Sequence, residues 1–330
     1  MNKDYNYYKT IADICNERND IYKKFKVEKI TPYKKFNVNV EPEEGESFIL
    51  ESGENKYLMV ETSTSFNWVH TRSYYYEINP LDINVAKYLH DYDQEDHKNE
   101  RHKLFVFSYI DGEPLKTYLN KIDEQKAYKL GTQLAETLKK VHALEINVLI
   151  HHVSNWNYRY KWVQKSIIEN YVPNGITDNA YNYFNENKYI IEKRYSSAEY
   201  YHKIDGDYVK DEFGNSVKEK TLSFIFNDIK IDNLVVSNDE VYINCPINVT
   251  IAEPFYDFKY LSLIALENKF FARGLIDGYC KGKFINEFFE MLKYYTSELI
   301  INSNLDEDTI IQILDSYDNY NLDIPKWYEK

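Results

Sequence analysis

The sequence predicts an α+β protein with a small β-rich N-lobe and a larger, mostly helical C-lobe. Three observations carry this prediction. The chain has 330 residues, enough for two compact units with cores of their own. Its early part holds short apolar runs separated by turn residues, which is typical of strands. Much of the remainder repeats apolar residues at helical intervals, which indicates helices.

The N-lobe is predicted over residues 1–107. Apolar spacing indicates a first helix over 4–22, and glycines mark turns between the strands that follow. After Pro80 the pattern favours a short helix over 81–90 and a charged, solvated loop over 91–103. The predicted strands of this lobe are 36–40, 47–51 and 57–62.

The C-lobe is predicted over residues 108–330. A strand over 104–110 leads into it and ends at a turn formed by Asp111 and Gly112. Paired turn signals indicate an inserted, polar β-ribbon at about 200–220. Breaks are expected near Gly274 and Gly282. The predicted helices are 124–144, 155–171, 182–194, 259–295 and 306–320.

The most informative stretch runs from Thr221 to Asn244. Three apolar runs, at 222–226, 234–236 and 241–243, are separated by a polar loop and a turn. This pattern places the polar residues on a loop between strands, where chemistry is common. A surface rich in hairpins, with ordinary turn residues, is the simpler alternative, and the flanking apolar runs make it the less favoured one.

Within that loop, Asp228 and Asn233 reproduce the spacing D-x-x-x-x-N of a kinase-type catalytic loop. Phosphoryl transfer needs a carboxylate that orients the attacking hydroxyl and accepts its proton. It also needs oxygen ligands that hold Mg²⁺ against the nucleotide phosphates. An acid and an amide five residues apart on a tight loop can serve both purposes.

The composition limits the classes of molecule that this protein is expected to bind and the compartment in which it is expected to work. The net charge of −13 disfavours nucleic acid and anionic membranes and suits a cationic small molecule. Three cysteines, widely spaced, favour a reducing compartment over a disulfide framework. The charged first 20 residues lack the apolar core of a secretory signal, and no apolar run is long enough to span a bilayer. We therefore expect a soluble, cytoplasmic protein, whose oligomeric state stays open.

Four segments resemble the aminoglycoside phosphotransferase and small-molecule kinase family. They are F-V-F-S-Y-I-D-G-E-P-L, Y-K-L-G-T-Q-L-A-E-T-L-K-K-V-H-A-L, F-N-D-I-K-I-D-N-L-V-V and A-E-P-F-Y-D-F. The likeness extends from about Leu104 to the C-terminus and is weak in the N-lobe, so the chain is identified as a divergent member. The resemblance implies a bilobal, protein-kinase-like fold with an N-lobe of the nucleotide-binding type.

The resemblance also implies roles for individual residues. Asp228 would be the catalytic base, Asn233 a magnesium ligand and Asp257 a structural brace of the C-lobe. Lys230 stands where protein kinases have a lysine near the transferred phosphate, so it would supply positive charge there. The implied cofactors are Mg²⁺ and ATP or GTP. The residues implied near the adenine are Ser108, Tyr109 and Ile110.

The chain departs from the family pattern at three places. Phe226 and Asn227 stand where the family has His and Gly before the catalytic aspartate. Asn244 stands at the second metal ligand, where the family has a carboxylate, and an amide binds magnesium more weakly. The N-lobe strand should present a Lys or Arg to the phosphates, but Val60 or Glu61 occupies the expected position.

Two functions remain open from the sequence. The first is transfer of a nucleotide γ-phosphoryl group to a hydroxyl of a small, cationic molecule, which retention of D-x-x-x-x-N favours. The alternative is a pseudokinase that acts as a binding or scaffold protein, which loss of the strand lysine and of the second metal carboxylate favours. The sequence names neither the acceptor nor the choice between ATP and GTP.

Overall fold

The computed structural model describes residues 20–38, 43–63, 75–95, 101–144, 151–191, 203–204, 207–208, 222–227, 229–244, 249–282 and 285–329. The chain divides into two compact units. The first extends to Gly112 and also takes in a short later segment, Tyr242–Asn248. The second comprises Glu113–Val241 and Val249–Lys330. Among the described residues, no helix is long and apolar enough to cross a membrane.

The first unit is built on a five-stranded antiparallel sheet with the strand order β1-β2-β3-β5-β4. A two-residue turn joins β2 to β3, and Gly53 adopts φ 58° there, a conformation that glycine takes without strain. The short helix α1 packs on one face through Ile21, against Phe48 and Leu50 of β2. The elements are α1 (Asp20–Phe25), β1 (Lys29–Val38), β2 (Glu43–Ser52), β3 (Asn55–Ser63), β4 (Tyr88–Glu95) and β5 (Arg101–Ser108).

Two predictions for this unit are wrong. The sequence predicts a helix over 81–90 and a loop over 91–103, but Tyr88–Glu95 is a strand and the next strand begins at Arg101. The physical reason is the place of β4 at the edge of the sheet, because an edge strand tolerates the charged residues that suggested a loop. A helical turn lies earlier, at 75–78, where Tyr75 and Ile78 are buried. Most of the helix predicted over 4–22 lies outside the described residues.

The second unit is mainly helical. Three of its helices begin at a side-chain cap, since Asp123, Asn268 and Asp306 each accept a hydrogen bond from a backbone N–H three residues later. The helices are α2 (Leu115–Leu119), α3 (Glu124–His142), α4 (His151–Asn170), α5 (Asp178–Glu186), α6 (Leu261–Glu267), α7 (Lys269–Cys280), α8 (Ile285–Asn302) and α9 (Glu307–Ser316).

Short strands lie on either side of the loop that carries the D-x-x-x-x-N sequence. Strand β9 (Ser223–Ile225) precedes this loop and pairs with β12 (Thr250–Ala252), whereas β10 (Leu234–Ser237) follows it. A three-stranded sheet has the order β11-β10-β6, where β6 is Glu113–Pro114 and β11 is Glu240–Ile243. Two further strands, β7 (Lys203–Ile204) and β8 (Asp207–Tyr208), form a hairpin, and the rest of the ribbon predicted at about 200–220 lies outside the described residues.

The break predicted near Gly274 is also wrong, because α7 continues through this residue and the break falls at Asn268 instead. Gly274 serves close packing between α7 and α3. A Cβ atom at Gly274 would overlap the carbonyl oxygen of Tyr128, and one at Gly131 would overlap that of Phe271. The break predicted near Gly282 is confirmed, since α7 ends at Cys280.

We expect Gly274→Ala to destabilise the protein by about 1–3 kcal/mol, because overpacking forces the two helix backbones apart. Alanine is otherwise the better helix former by about 1 kcal/mol, so the sign of the change reports the packing. Gly278→Ala is the graded comparison, since its Cβ would meet Ala135 Cβ at 2.9 Å and Thr132 Cα at 3.0 Å. This overlap is milder than that with the Tyr128 carbonyl oxygen at Gly274, so Gly278→Ala should destabilise less. Urea unfolding of both variants measures the difference, and equal stabilities would contradict this account.

Candidate active site

The loop between β9 and β10 is fixed at its start by the buried carboxylate of Asp257. This side chain is 1% exposed and accepts two backbone hydrogen bonds. The N–H of Phe226 donates to Oδ2 at 3.0 Å, and the N–H of Asn227 donates to Oδ1 at 2.6 Å. Charge-assisted bonds of this kind are the stronger ones in proteins, so they hold the chain immediately before Asp228.

Asp257 is itself oriented by His142, the last residue of α3. Nε2 of His142 lies 3.0 Å from Oδ2 of Asp257, and Nδ1 lies 2.7 Å from the hydroxyl of Tyr279. Burial raises the pKa of Tyr279 well above its ordinary value, so this hydroxyl keeps its proton. Because a carboxylate only accepts hydrogen bonds, we assign Nε2–H as the donor to Asp257, while the Tyr279 hydroxyl provides the hydrogen bond at Nδ1.

The backbone explains one departure from the family pattern. Asn227 adopts φ 58°, in the left-handed region, at the position where the family has glycine. Asparagine is among the few residues other than glycine that visit this region readily, so it preserves the bend. Phe226, which stands in place of the family histidine, is buried in the core.

The far end of the loop is a short 3₁₀ turn over Ile231–Asn233. The N–H of Asn233 donates to the carbonyl oxygen of Lys230 at 2.9 Å, and β10 begins at the next residue. Lys230 and Asn233 are both half-buried. Asp228 itself lies outside the described residues, and its role as the base remains a prediction. The chain on either side of it is held by the hydrogen bonds of Asn227 and Asn233.

Lysines beside this loop share one aromatic ring. The ammonium group of Lys230 lies 4.8 Å from the ring centroid of Tyr260, and that of Lys259 lies 5.0 Å from the same centroid. Lys259 also lies 3.5 Å from Oδ1 of Asn227. Lys259 was not predicted from the sequence; the signal that could have revealed it is a lone lysine in the aromatic run F-Y-D-F-K-Y.

Other predicted site residues belong to the first unit. Ser108, Tyr109 and Ile110 are half-buried and directly follow or end β5. Ser108 forms two hydrogen bonds with the backbone of Lys87. Its N–H donates to the carbonyl oxygen of Lys87 at 2.8 Å, and its hydroxyl accepts from the Lys87 N–H at 2.8 Å. Burial raises the pKa of Tyr109, to which Tyr33 and Asp111 also contribute.

Tyr33 connects two of these predicted positions. Its ring meets that of Tyr109 edge-on, with 6.2 Å between centroids, and its hydroxyl accepts a hydrogen bond from Nδ2 of Asn244 at 3.2 Å. Asn244 is 3% exposed, and its Oδ1 has no hydrogen-bond partner among the described residues. Val60 is buried and apolar, while nothing of the Glu61 side chain falls within the description.

The buried amide oxygen of Asn244 is chemically suited to bind a magnesium ion. Mg²⁺ takes oxygen ligands and keeps several waters, so it needs few protein donors. A buried amide oxygen without a partner, as in Asn244, is costly unless something bonds to it, and a cation would do so. Within the described part of the chain, no cluster of three or more His, Cys, Asp or Glu side chains offers an alternative metal site.

Comparisons with known proteins agree with this architecture. A family model described as "Phosphotransferase enzyme family" matches residues 74–245, which include the loop before β10. Among curated proteins, none matches the sequence significantly.

Solved structures share the fold across nearly the whole chain. Aminoglycoside phosphotransferase APH(2'')-Ib, bound to ADP, has a TM-score of 0.50 at 15% identity, over 94% of this chain and 97% of that chain. The streptomycin–ATP–APH(2'')-IIa ternary complex has a TM-score of 0.50 at 14% identity, over 100% of both chains. A thermostable mutant of APH(4)-Ia in its apo form has a TM-score of 0.54 at 10% identity, over 90% and 97%. The predicted protein-kinase-like α+β fold is thereby confirmed.

Proposed function

Because this chain belongs to the phosphotransferase enzyme family, we propose that it transfers the γ-phosphoryl group of a nucleotide to a hydroxyl of a small, cationic molecule. The observation that carries the proposal is the double hydrogen bond from the backbone of Phe226 and Asn227 to Asp257. A loop anchored by a buried carboxylate just before Asp228 is what a positioned catalytic base requires, since positioning supplies much of the rate in phosphoryl transfer.

In the proposed reaction, the acceptor hydroxyl attacks the γ-phosphorus while its proton passes to the carboxylate of Asp228. The bond from the γ-phosphorus to the bridging oxygen breaks, and the nucleoside diphosphate leaves. Lys230, half-buried on the same loop, offsets the charge of the transferred group. Asn233 and Asn244 are each proposed as oxygen ligands of Mg²⁺. These residues would hold Mg²⁺, which would offset the negative charge of the nucleotide phosphates.

For the nucleotide base, we propose Tyr109 and Ile110 as the main contacts. The backbone N–H and the hydroxyl of Ser108 are already bonded to Lys87, so Ser108 contributes by holding the strand end in place. Structural neighbours support nucleotide use, because one was solved as an ADP complex and another as a ternary complex with ATP. The net charge of −13 supports a cationic acceptor.

One observation favours the alternative, a pseudokinase that binds a partner without transfer. Tyr33 contacts both Tyr109 and Asn244, which are the proposed base and metal positions in the first unit. In this arrangement the amide of Asn244 is engaged by a tyrosine, and the Tyr33 ring takes up space beside Tyr109. For a base to bind against Tyr109, we propose that the Tyr33 side chain moves aside.

A thermal-shift titration with ATP and with GTP, each with and without Mg²⁺, tests the proposal. We expect one nucleotide to raise the melting temperature, with a larger rise when magnesium is present, because ligands that bind only the folded state stabilise it by mass action. Asn244→Ala should remove most of the additional rise in melting temperature that magnesium causes. Tyr33→Ala should strengthen nucleotide binding, and Tyr76→Ala, at an exposed tyrosine of the same unit, is its control.

The outcomes separate the two functions. A shift in the wild type establishes nucleotide binding, and the phosphotransferase further requires turnover that Asp228→Asn removes. A shift that appears only in Tyr33→Ala supports the pseudokinase, with its nucleotide position closed. No shift with either nucleotide, in the wild type and in Tyr33→Ala alike, overturns the proposed transfer reaction.

A further inference from the structure

We infer that Lys259 is a positioning residue for the loop that carries Asp228, anchored through Tyr256 to the buried carboxyl group of Glu298. The inference rests on the proposed function, since the loop it positions is the proposed catalytic one. Every contact that carries it lies within the second unit.

Lys259 follows directly on the 3₁₀ helix Pro254–Phe258, which also carries Asp257. The two side chains hold the same loop residue in different ways. Asp257 accepts the backbone N–H of Asn227 at 2.6 Å, and the ammonium group of Lys259 lies 3.5 Å from the side-chain oxygen of Asn227. Asn227 is therefore held by both its backbone and its side chain, one position before Asp228.

The other end of this contact is anchored in the core. The ammonium group of Lys259 donates to the hydroxyl of Tyr256 at 3.3 Å, and this hydroxyl donates to Oε1 of Glu298 at 2.9 Å. The hydroxyl of Tyr160 donates to Oε2 of the same carboxyl group at 2.6 Å. A continuous chain of polar contacts thus connects Glu298 on α8 with Asn227 on the loop.

Burial makes this arrangement expensive to disturb. Lys259 is 8% exposed, and a buried ammonium group is tolerated only with compensating partners. Burial raises the pKa of Glu298, while the charge of Lys259 and the two tyrosine hydroxyls act in the opposite direction. The rings of Tyr256 and Tyr260 add cation–π contacts, with centroids 4.4 and 5.0 Å from the ammonium group.

The Tyr260 ring extends the support past Asp228. Its centroid is 4.8 Å from the ammonium group of Lys230, two residues after Asp228, and 5.0 Å from that of Lys259. The loop is therefore contacted on both sides of Asp228 by residues that depend on one small region of the core.

A buried lysine can also be purely structural, and Lys293 supplies that comparison. It is 3% exposed, lies 4.5 Å from the Tyr183 ring centroid, and donates to Oδ1 of Asp323 at 3.0 Å and to the carbonyl oxygen of Tyr320 at 3.1 Å. These partners belong to α5 and the C-terminal segment. Lys293→Met is therefore a matched control, because it removes a similarly buried ammonium group from another part of the same unit.

The test is a double-mutant cycle on the full chain, combining Lys259→Met with Asn227→Gly. Glycine keeps the left-handed backbone but removes the side-chain oxygen that Lys259 contacts. The first measurement is hydrogen exchange of a peptide spanning 224–234, and the second is kcat and KM. We expect Lys259→Met to accelerate exchange about tenfold and to lower kcat about 10- to 100-fold, with KM for the nucleotide nearly unchanged.

In the Asn227→Gly background the same substitution should have a much smaller effect, because its point of action is gone. Lys293→Met should leave loop exchange and kcat unchanged in either background. Additive effects of the cycle, or equal effects of the two lysine substitutions, overturn the inference. If wild-type protein shows no turnover, the proposed function fails while the exchange cycle still decides the role of Lys259. Should Lys259→Met not fold, Lys259→Gln takes its place in the same cycle.

Discussion

Asp228→Asn is expected to lower turnover by about 10²–10⁴-fold, the range for loss of a positioned general base. An amide has nearly the size of the carboxylate but cannot accept the hydroxyl proton. The melting temperature should change little, because the substitution leaves in place the hydrogen bonds that anchor the loop. Those bonds run from the backbone of Phe226 and Asn227 to Asp257. Nucleoside diphosphate release in the presence of a panel of hydroxyl-bearing cationic compounds measures the effect.

The loop provides its own control for this experiment. Asp232 is an exposed carboxylate four residues further along, so Asp232→Asn removes the same charge from the same loop without touching the proposed base. It should retain most of the activity. Nucleotide binding by Asp228→Asn should also persist, as judged by the thermal shift. Equal turnover in wild type and Asp228→Asn would exclude Asp228 as the base, whatever the acceptor.

The elements predicted correctly from the sequence are those whose structure depends on residues close together in the chain. Helix α3 is predicted over 124–144 and observed over Glu124–His142, because Leu130, Leu134 and Leu138 recur on one buried face and Asp123 caps the start. The same holds for the strands around the loop, where short apolar runs are bounded by turns. The D-x-x-x-x-N spacing is also a local property, which is why it could be recognised.

The errors arise where tertiary contacts decide. The charged strand β4 exists because β5 offers it an edge to pair with, and no periodicity within 88–95 reveals that. Gly274 resembles a helix break in sequence, although it marks the closest approach to α3. Lys259 acquires its partners from residues about 30 to 40 positions away in the chain, at Asn227 and Glu298. Such roles depend on the assembled fold and leave no spacing rule behind.

Asp257→Ala is expected to destabilise the protein by about 3–5 kcal/mol, as is typical when one partner of a buried charged network is removed. The backbone N–H groups of Phe226 and Asn227 and Nε2 of His142 would all lose their acceptor, the carboxylate of Asp257, which is 1% exposed. The stability of Asp257→Asn should lie between those of the wild type and Asp257→Ala. The amide keeps one acceptor oxygen but turns its nitrogen toward another donor. Urea unfolding of both variants provides the measurement.

An exposed carboxylate shows what the loss of an ordinary ion pair does. Asp318 contacts Lys326 at 3.1 Å with both side chains largely in solvent, so Asp318→Asn, which keeps a residue suited to the left-handed φ of 50° there, should change stability very little. If Asp257→Ala were equally mild, the clamp on Phe226 and Asn227 would not be what fixes the loop, and the structural basis for placing Asp228 would be lost. If it is severe, and Asp257→Asn also lowers turnover more than it lowers stability, the same buried carboxylate serves both the fold and the geometry of the loop.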